Sequence, residues 1–425
     1  MTVILKNARV IDPEAGVEFP GAVVISGGQI AQILSAGKRL PQGETVIDVK
    51  GACVAPGIVD IGVKVCEPGE RHKESFRTAG EAAAAGGITT IVTRPDTDPA
   101  IDTPEVLEFI HRRAVTDSLV KVLPMAALTR GRAGAEMAEI GLLGDAGAVA
   151  FSDGDRVISD PRLAARCLNY ARGLGALVIG HVQEPSLSRG AAATSGALAS
   201  AMGLPSVSPM AERIGLERDL ALIEMTGARY HVDQVSTAAA LAPLARAKAA
   251  GLPVTAGASI HHLTLDQSAI AGYRTFFKLK PPLRSASDRD ALAAALADGV
   301  IDVISSMHTP QDEESKRLPF EEAASGAVAL ETLLPAALGL VRDGTVTLPG
   351  LWRALSLVPA RIIGSQAGRM AEGAPGDLVV FDPDAEIIMD RYTLRSKCKN
   401  TPFDEARMAG RVLRTYVDGR AVFGD

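Results

Sequence analysis

Between residues 55 and 366 the chain alternates apolar β-like runs with alanine-rich helical ones, and this rhythm constrains its fold more than any other feature. Strand, helix and strand in succession is the pattern of parallel βα units, whose crossover helices cover the sheet. Residues 88–93, 148–151, 176–180, 253–256 and 301–305 read as strands. Ser287 is placed to cap a helix over 288–298, with Gly299 to end it. Roughly eight such units fit in residues 55–366, which predicts a (β/α)8 TIM barrel. A doubly wound open sheet is the competing architecture, but no glycine-rich dinucleotide fingerprint follows the first strand.

The two ends have a different character. Residues 21–28 and 44–50 near the start, and 377–382 and 410–419 near the finish, are short β runs closed by turn residues. They predict a small β-sandwich built from both termini, with residues 1–54 and 367–425 flanking the barrel of residues 55–366.

A net charge of -6 leaves no electrostatic footprint for nucleic acid, and no basic cluster suggests a membrane surface. The N-terminal stretch from Met1 turns polar too early for a signal peptide, and no long uncharged apolar run is present. The expected location is the cytoplasm. Cys53, Cys66, Cys167 and Cys398 lack CxxC spacing and read as buried apolar residues rather than a disulfide framework.

Chemistry in such barrels sits at the C-terminal ends of the strands. The first strand lies in Val54-Ala-Pro-Gly-Ile-Val-Asp-Ile-Gly-Val-Lys-Val-Cys-Glu-Pro-Gly69. This segment closely resembles the metal-binding strand of dihydroorotases, P-G-x-x-D-x-H-x-H-x-R-E-P-G. Two histidines one residue apart on a strand share a face and reach one zinc. Here those places hold Gly62 and Lys64, and the place of the substrate-binding arginine holds Cys66.

The resemblance covers nearly the whole chain and can be followed strand end by strand end. Arg94-Pro-Asp-Thr97 matches M-P-N-T, with Asp96 in place of a substrate asparagine. Phe151-Ser-Asp-Gly-Asp155 is similar to F-S-D-D-G, which makes Asp153 a metal position; the plainer reading is a turn aspartate bonding its own backbone. His181-Val-Gln-Glu184 matches H-x-E-D and carries over His181 as a metal position. In His231-Val-Asp-Gln-Val-Ser236, Gln234 replaces a ligand histidine. The adjacent His261 and His262, read as extended chain, point oppositely and cannot share an ion. In Lys278-Leu-Lys-Pro-Pro-Leu-Arg284, Lys280 replaces a second substrate asparagine. In Ile301-Asp-Val-Ile-Ser-Ser-Met-His-Thr-Pro-Gln311, Met307 stands where the family has the aspartate that binds metal and takes the proton from water. A thioether is neutral and only a weak acceptor.

The resemblance therefore implies a dihydroorotase frame whose metal, base and substrate positions are each altered. Of the six metal positions only Asp153 and His181 keep their type. A catalytic zinc normally has three protein ligands. Neither a cofactor nor a catalytic residue is expected on this reading. The chain resembles the noncatalytic dihydroorotase-like subunits that accompany aspartate transcarbamoylase, and oligomerisation with that partner is the first expectation. The second is a cyclic amidohydrolase with one zinc on Asp153, His181 and a neighbour such as Asp155 or His308. A third is a small-molecule module in which Lys64, Arg94 and Lys280 hold an anion. A charge argument further predicts that Lys64 pairs with Asp153, since a buried carboxylate deprived of its cation is costly.

Overall fold

The computed structural model describes residues 2–41 and 45–424. Eight parallel strands run in chain order: Ile58–Val63, Ile88–Thr93, Lys121–Ala126, Ala150–Phe151, Val178–Gly180, Tyr230–Val232, Val254–Ser259 and Val303–Ser305. The first and last meet through Ser306, whose backbone N–H donates to Asp60 Oδ1 at 2.9 Å, and through Lys64 N–H to His308 O at 2.9 Å. These contacts bring the ends of the sheet together as the predicted barrel.

Ile61, Val92, Met125, Ala150, Ile179 and Val303 pack together from six different strands and fill the barrel interior. A larger core on the outer face joins the strands to the helices. Both faces of each strand are thus covered, which explains why the strands read as nearly continuous apolar runs rather than alternating ones.

The helix leading into the eighth strand is Ala286–Ala297. Its cap is Ser285, not Ser287: Ser285 Oγ accepts from Asp288 N at 3.1 Å, while Asp288 Oδ2 accepts from Ser285 N at 3.2 Å. A capping box needs its second member at the third helical position, and only Ser285 has Asp288 there. His261 and His262 lie on the short helix Ile260–Thr264 rather than on extended chain. His262 meets Ser259 Oγ at 2.8 Å and His261 stacks on Phe403, so each is occupied separately.

The termini form one mixed sheet in the order Arg420–Phe423, Arg407–Val417, Leu378–Ile388, Cys53–Pro56, Thr2–Asp12, Val17–Ser26 and Gln29–Ser35, with Thr45–Asp48 also on Thr2–Asp12. Met1 and Glu44, where two of the sequence readings begin, lie outside the described residues. Side chains from both halves share a core that includes Val10, Val23, Ile25, Val380 and Tyr416. The sheet strand ends at Pro56 and the barrel strand starts at Ile58, so the chain passes between them at Gly57. Trp352 ties the two together: it stacks on Phe381 with ring centres 4.6 Å apart and donates Nε1–H to Pro56 O at 2.8 Å.

Glu331 holds the irregular segment between the strands Leu378–Ile388 and Arg407–Val417, accepting from Arg395 N at 2.8 Å and Ser396 N at 3.3 Å. Burial pushes its carboxyl up from 4.5 to about 7 despite those donors. The folded state therefore holds this proton more tightly than the unfolded one. The resulting stability is complete below the unfolded value and is lost as pH rises through the folded one. Between those values the loss is expected to be on the order of 3 kcal/mol, and Glu331→Gln should abolish it. Urea midpoints across that range for the two proteins check this.

Candidate functional site at the barrel mouth

The first strand delivers Gly62 and Lys64 to the mouth. Gly62 has φ +101°, a conformation that side-chain-bearing residues rarely adopt, and a Cβ there would lie 2.8 Å from Met307 Sδ. Met307, itself at φ +47°, has thus taken the space a side chain at position 62 would need. The two altered metal positions occlude one another.

Lys64 is largely buried, and its ammonium lies 2.9 Å from Glu70 and 3.6 Å from Asp96. Burial alone would favour the neutral amine; Asp96 and Glu70 outweigh it and keep the group cationic, with its pKa above the usual lysine value. The expected partner, Asp153, is elsewhere engaged. Its Oδ1 accepts from Leu128 N at 3.0 Å and Thr129 N at 2.9 Å, and its Oδ2 from Thr129 Oγ1 at 2.5 Å. The Lys64–Asp153 pairing is corrected on this geometry: hydrogen bonds from the preceding strand's loop, not a lysine, satisfy the carboxylate. The same bonds correct the turn reading, because the backbone groups that Asp153 accepts belong to residues about 25 positions away. Burial nevertheless raises its pKa.

Asp96 does not stand as a bare negative charge either. Arg94 donates to it from Nε at 3.1 Å and from Nη2 at 2.5 Å, and Lys64 adds a second cation. Cys66 is buried with φ +65°, and burial pushes its thiol pKa up, so it is neither a thiolate nor a substitute for an anion-binding arginine. Gln234 donates Nε2–H to Lys280 O at 3.2 Å, which turns its amide toward the backbone.

His181 is held by Asp233, with Nδ1 3.0 Å from Oδ2, and Asp233 is itself fixed by Gln234 N at 2.6 Å. His181 Nε2 is buried with no hydrogen-bond partner among the described residues. His308 is fully buried between Ala329 N, 3.1 Å from Nδ1, and Glu74, 3.4 Å from Nε2. It is therefore tied into the frame through Ala329, with Glu74 beside its other nitrogen.

Sequence reasoning named Asp155 and Lys280 separately but missed Arg132 and the pairing of all three on the other side of the mouth. Asp155 accepts from Arg132 Nη2 at 2.8 Å and from Lys280 Nζ at 2.9 Å. Burial acts to raise the Asp155 pKa, but Arg94, Lys280 and Arg132 outweigh it and hold the carboxyl far below the usual range. Arg132 lies in the loop after the third strand, where the sequence offers no periodic signal and no recognisable pattern. The remaining cavity is about 600 Å³ and is lined by Arg132, Asp155, His181, Gln183, Lys278 and Lys280, among others.

These residues do not fit a bound catalytic metal. Gly62 offers no donor, Lys64 brings a positive charge already spent on two carboxylates, and Met307 fills the intervening space. Among the described residues no group of three histidine, cysteine, aspartate or glutamate side chains is arranged to hold an ion. Asp153 and His181 remain as individual donors, one saturated by hydrogen bonds and one open.

A family profile described as "Dihydro-orotase-like" matches residues 51–240. A protein named "Dihydroorotase" from Anaeromyxobacter dehalogenans (strain 2CP-C) is 41% identical over 422 residues, covering 99% of this chain and 97% of that protein. A "Dihydroorotase-like protein" from Pseudomonas putida is 39% identical over the full length of both. Among solved structures, the "L-Hydantoinase (Dihydropyrimidinase) from Arthrobacter aurescens" superposes with a TM-score of 0.90 at 25% identity, covering 99% of this chain and 96% of that one.

Proposed function

Because this chain belongs to the dihydroorotase family of the amidohydrolase superfamily, we propose that it keeps the family's barrel as a noncatalytic scaffold, a cytoplasmic structural partner of aspartate transcarbamoylase in an oligomeric complex. The observation that carries the reading is the mutual filling of the two altered metal positions, with Met307 Sδ in the space above Gly62 and Lys64 fixed on Glu70 and Asp96. Such an arrangement fills the metal positions. It does not activate water.

The frame around the mouth supports the same reading. Glu67 is buried and accepts from Phe76 N at 3.1 Å and Arg113 Nε at 3.0 Å, fixing the loop after the first strand. Lys316 is buried against the carbonyls of Ala324 at 2.7 Å and Thr275 at 3.0 Å. Its ammonium is deprived of water, and its pKa is lowered to about 7. No helix among the described residues is long and apolar enough to cross a membrane.

A second reading is a hydrolase of cyclic amides that uses zinc, and the names of the relatives favour it, "Dihydroorotase" foremost. The open Nε2 of His181 is the feature of the site most compatible with it. Metal analysis separates the two. Purified without chelator, the chain is expected to carry well below the roughly one zinc per chain that a catalytic site holds. Stoichiometric zinc, lost on His181→Ala, would establish the second reading instead. Light scattering of the chain mixed with aspartate transcarbamoylase from the same organism tests the partner: a joint species is expected, and separate elution at micromolar concentration removes that partner.

A further inference from the structure

Arg132 at the barrel mouth is anchored independently of the carboxylate it shares with Lys280. Arg132 is anchored by Nε to Asp153 O at 2.9 Å, and Arg94 by Asp96 and by Thr309 Oγ1 at 3.4 Å. Both guanidinium side chains are about nine-tenths buried. Lys280, half exposed, reaches in from the loop after the seventh strand. Asp155 completes the cluster from the loop after the fourth, with one oxygen on Arg132 and the other on Lys280. Gly154 before it has φ +64°, and a Cβ there would lie 3.2 Å from Arg132 Nη2, so the backbone itself approaches the guanidinium closely.

We propose that Asp155 is a built-in anion occupying a site formed by Arg132 and Lys280, and that this site binds a free carboxylate or phosphate once Asp155 is removed. A carboxylate bridging two cationic donors through separate oxygens is how such groups recognise an external anion. Here the chain supplies that anion itself. Taking it away leaves the buried Arg132 guanidinium without its carboxylate, a costly state that an anion from solution relieves. The adjoining cavity of about 600 Å³ leaves room for one to enter. The unmodified mouth is accordingly closed to small anions. This inference goes beyond the noncatalytic reading, which rests on Gly62, Lys64 and Met307. The two fail separately: turnover overturns that reading, and phosphate binding by the unmodified chain as tight as by the variant overturns this one.

Isothermal titration with inorganic phosphate, at ionic strength fixed with sodium chloride, tests the site. Asp155→Ala is expected to bind phosphate at least about tenfold more tightly than the unmodified chain. Adding Lys280→Ala to that variant should remove the gain. Asp155→Asn, nearly the same shape, serves the same comparison if Asp155→Ala does not fold. Equal binding by the unmodified protein, no binding by either variant, or a gain that survives Lys280→Ala overturns the proposal.

Discussion

Assayed in either direction between carbamoyl aspartate and dihydroorotate, with or without added zinc, the chain is expected to show a rate more than about ten-thousandfold below that of an active dihydroorotase. Loss of a positioned general base alone costs on the order of a hundred- to ten-thousandfold. Met307 has no proton-accepting group to replace it. Activation of water by a metal is an additional requirement, and Gly62, Lys64 and Gln234 do not provide its ligands. Recognition is also altered, since Lys280 is engaged with Asp155 and Asp96 with Arg94.

Gly62→His should not rescue the activity. The backbone there has φ +101°, and the new side chain would collide with Met307 Sδ while Lys64 kept its charge beside it. Steady-state assays of the unmodified chain and this variant decide the point. Zinc-dependent turnover by the unmodified chain, or its appearance on that single substitution, would defeat the noncatalytic reading.

The second large effect concerns stability. Glu212, on the helix Met210–Thr226, is fully buried and gathers three loops of the barrel mouth. It accepts from Gln183 Nε2 at 3.0 Å, from the backbone N–H groups of Ser236 and Thr237 at 2.9 Å each, and faces Arg284 Nη2 at 3.6 Å. Arg284 is almost as deeply buried. Glu212→Ala would leave that guanidinium without its counter-charge and several donors without an acceptor. Breaking a buried pair from one side typically costs about 3–5 kcal/mol, and a loss of that size is expected in urea denaturation. Adding Arg284→Met should recover part of it, because the stranded charge then disappears. A change below about 1 kcal/mol for Glu212→Ala would mean that the hub is not holding the loops.

The alternation of apolar and alanine-rich segments was enough to give a parallel sheet covered by helices, because covering both faces of such a sheet demands that pattern wherever the chain lies. The count of about eight units favoured the barrel over an open sheet. The altered ligand types at Gly62, Lys64, Gln234 and Met307 were equally legible, since the donor chemistry of a side chain is a property of the residue itself. Which groups answer which charges was decided by the tertiary structure. Lys64 points to Glu70 and Asp96 rather than to Asp153, whose needs are met by Thr129 and Leu128. Lys280 meets Asp155 across 125 positions of chain, and Arg132 enters from a loop without any signature. Strand ends converge only when the barrel closes, so partners far apart in sequence compete for one small space, and distance and hydrogen-bond geometry choose among them.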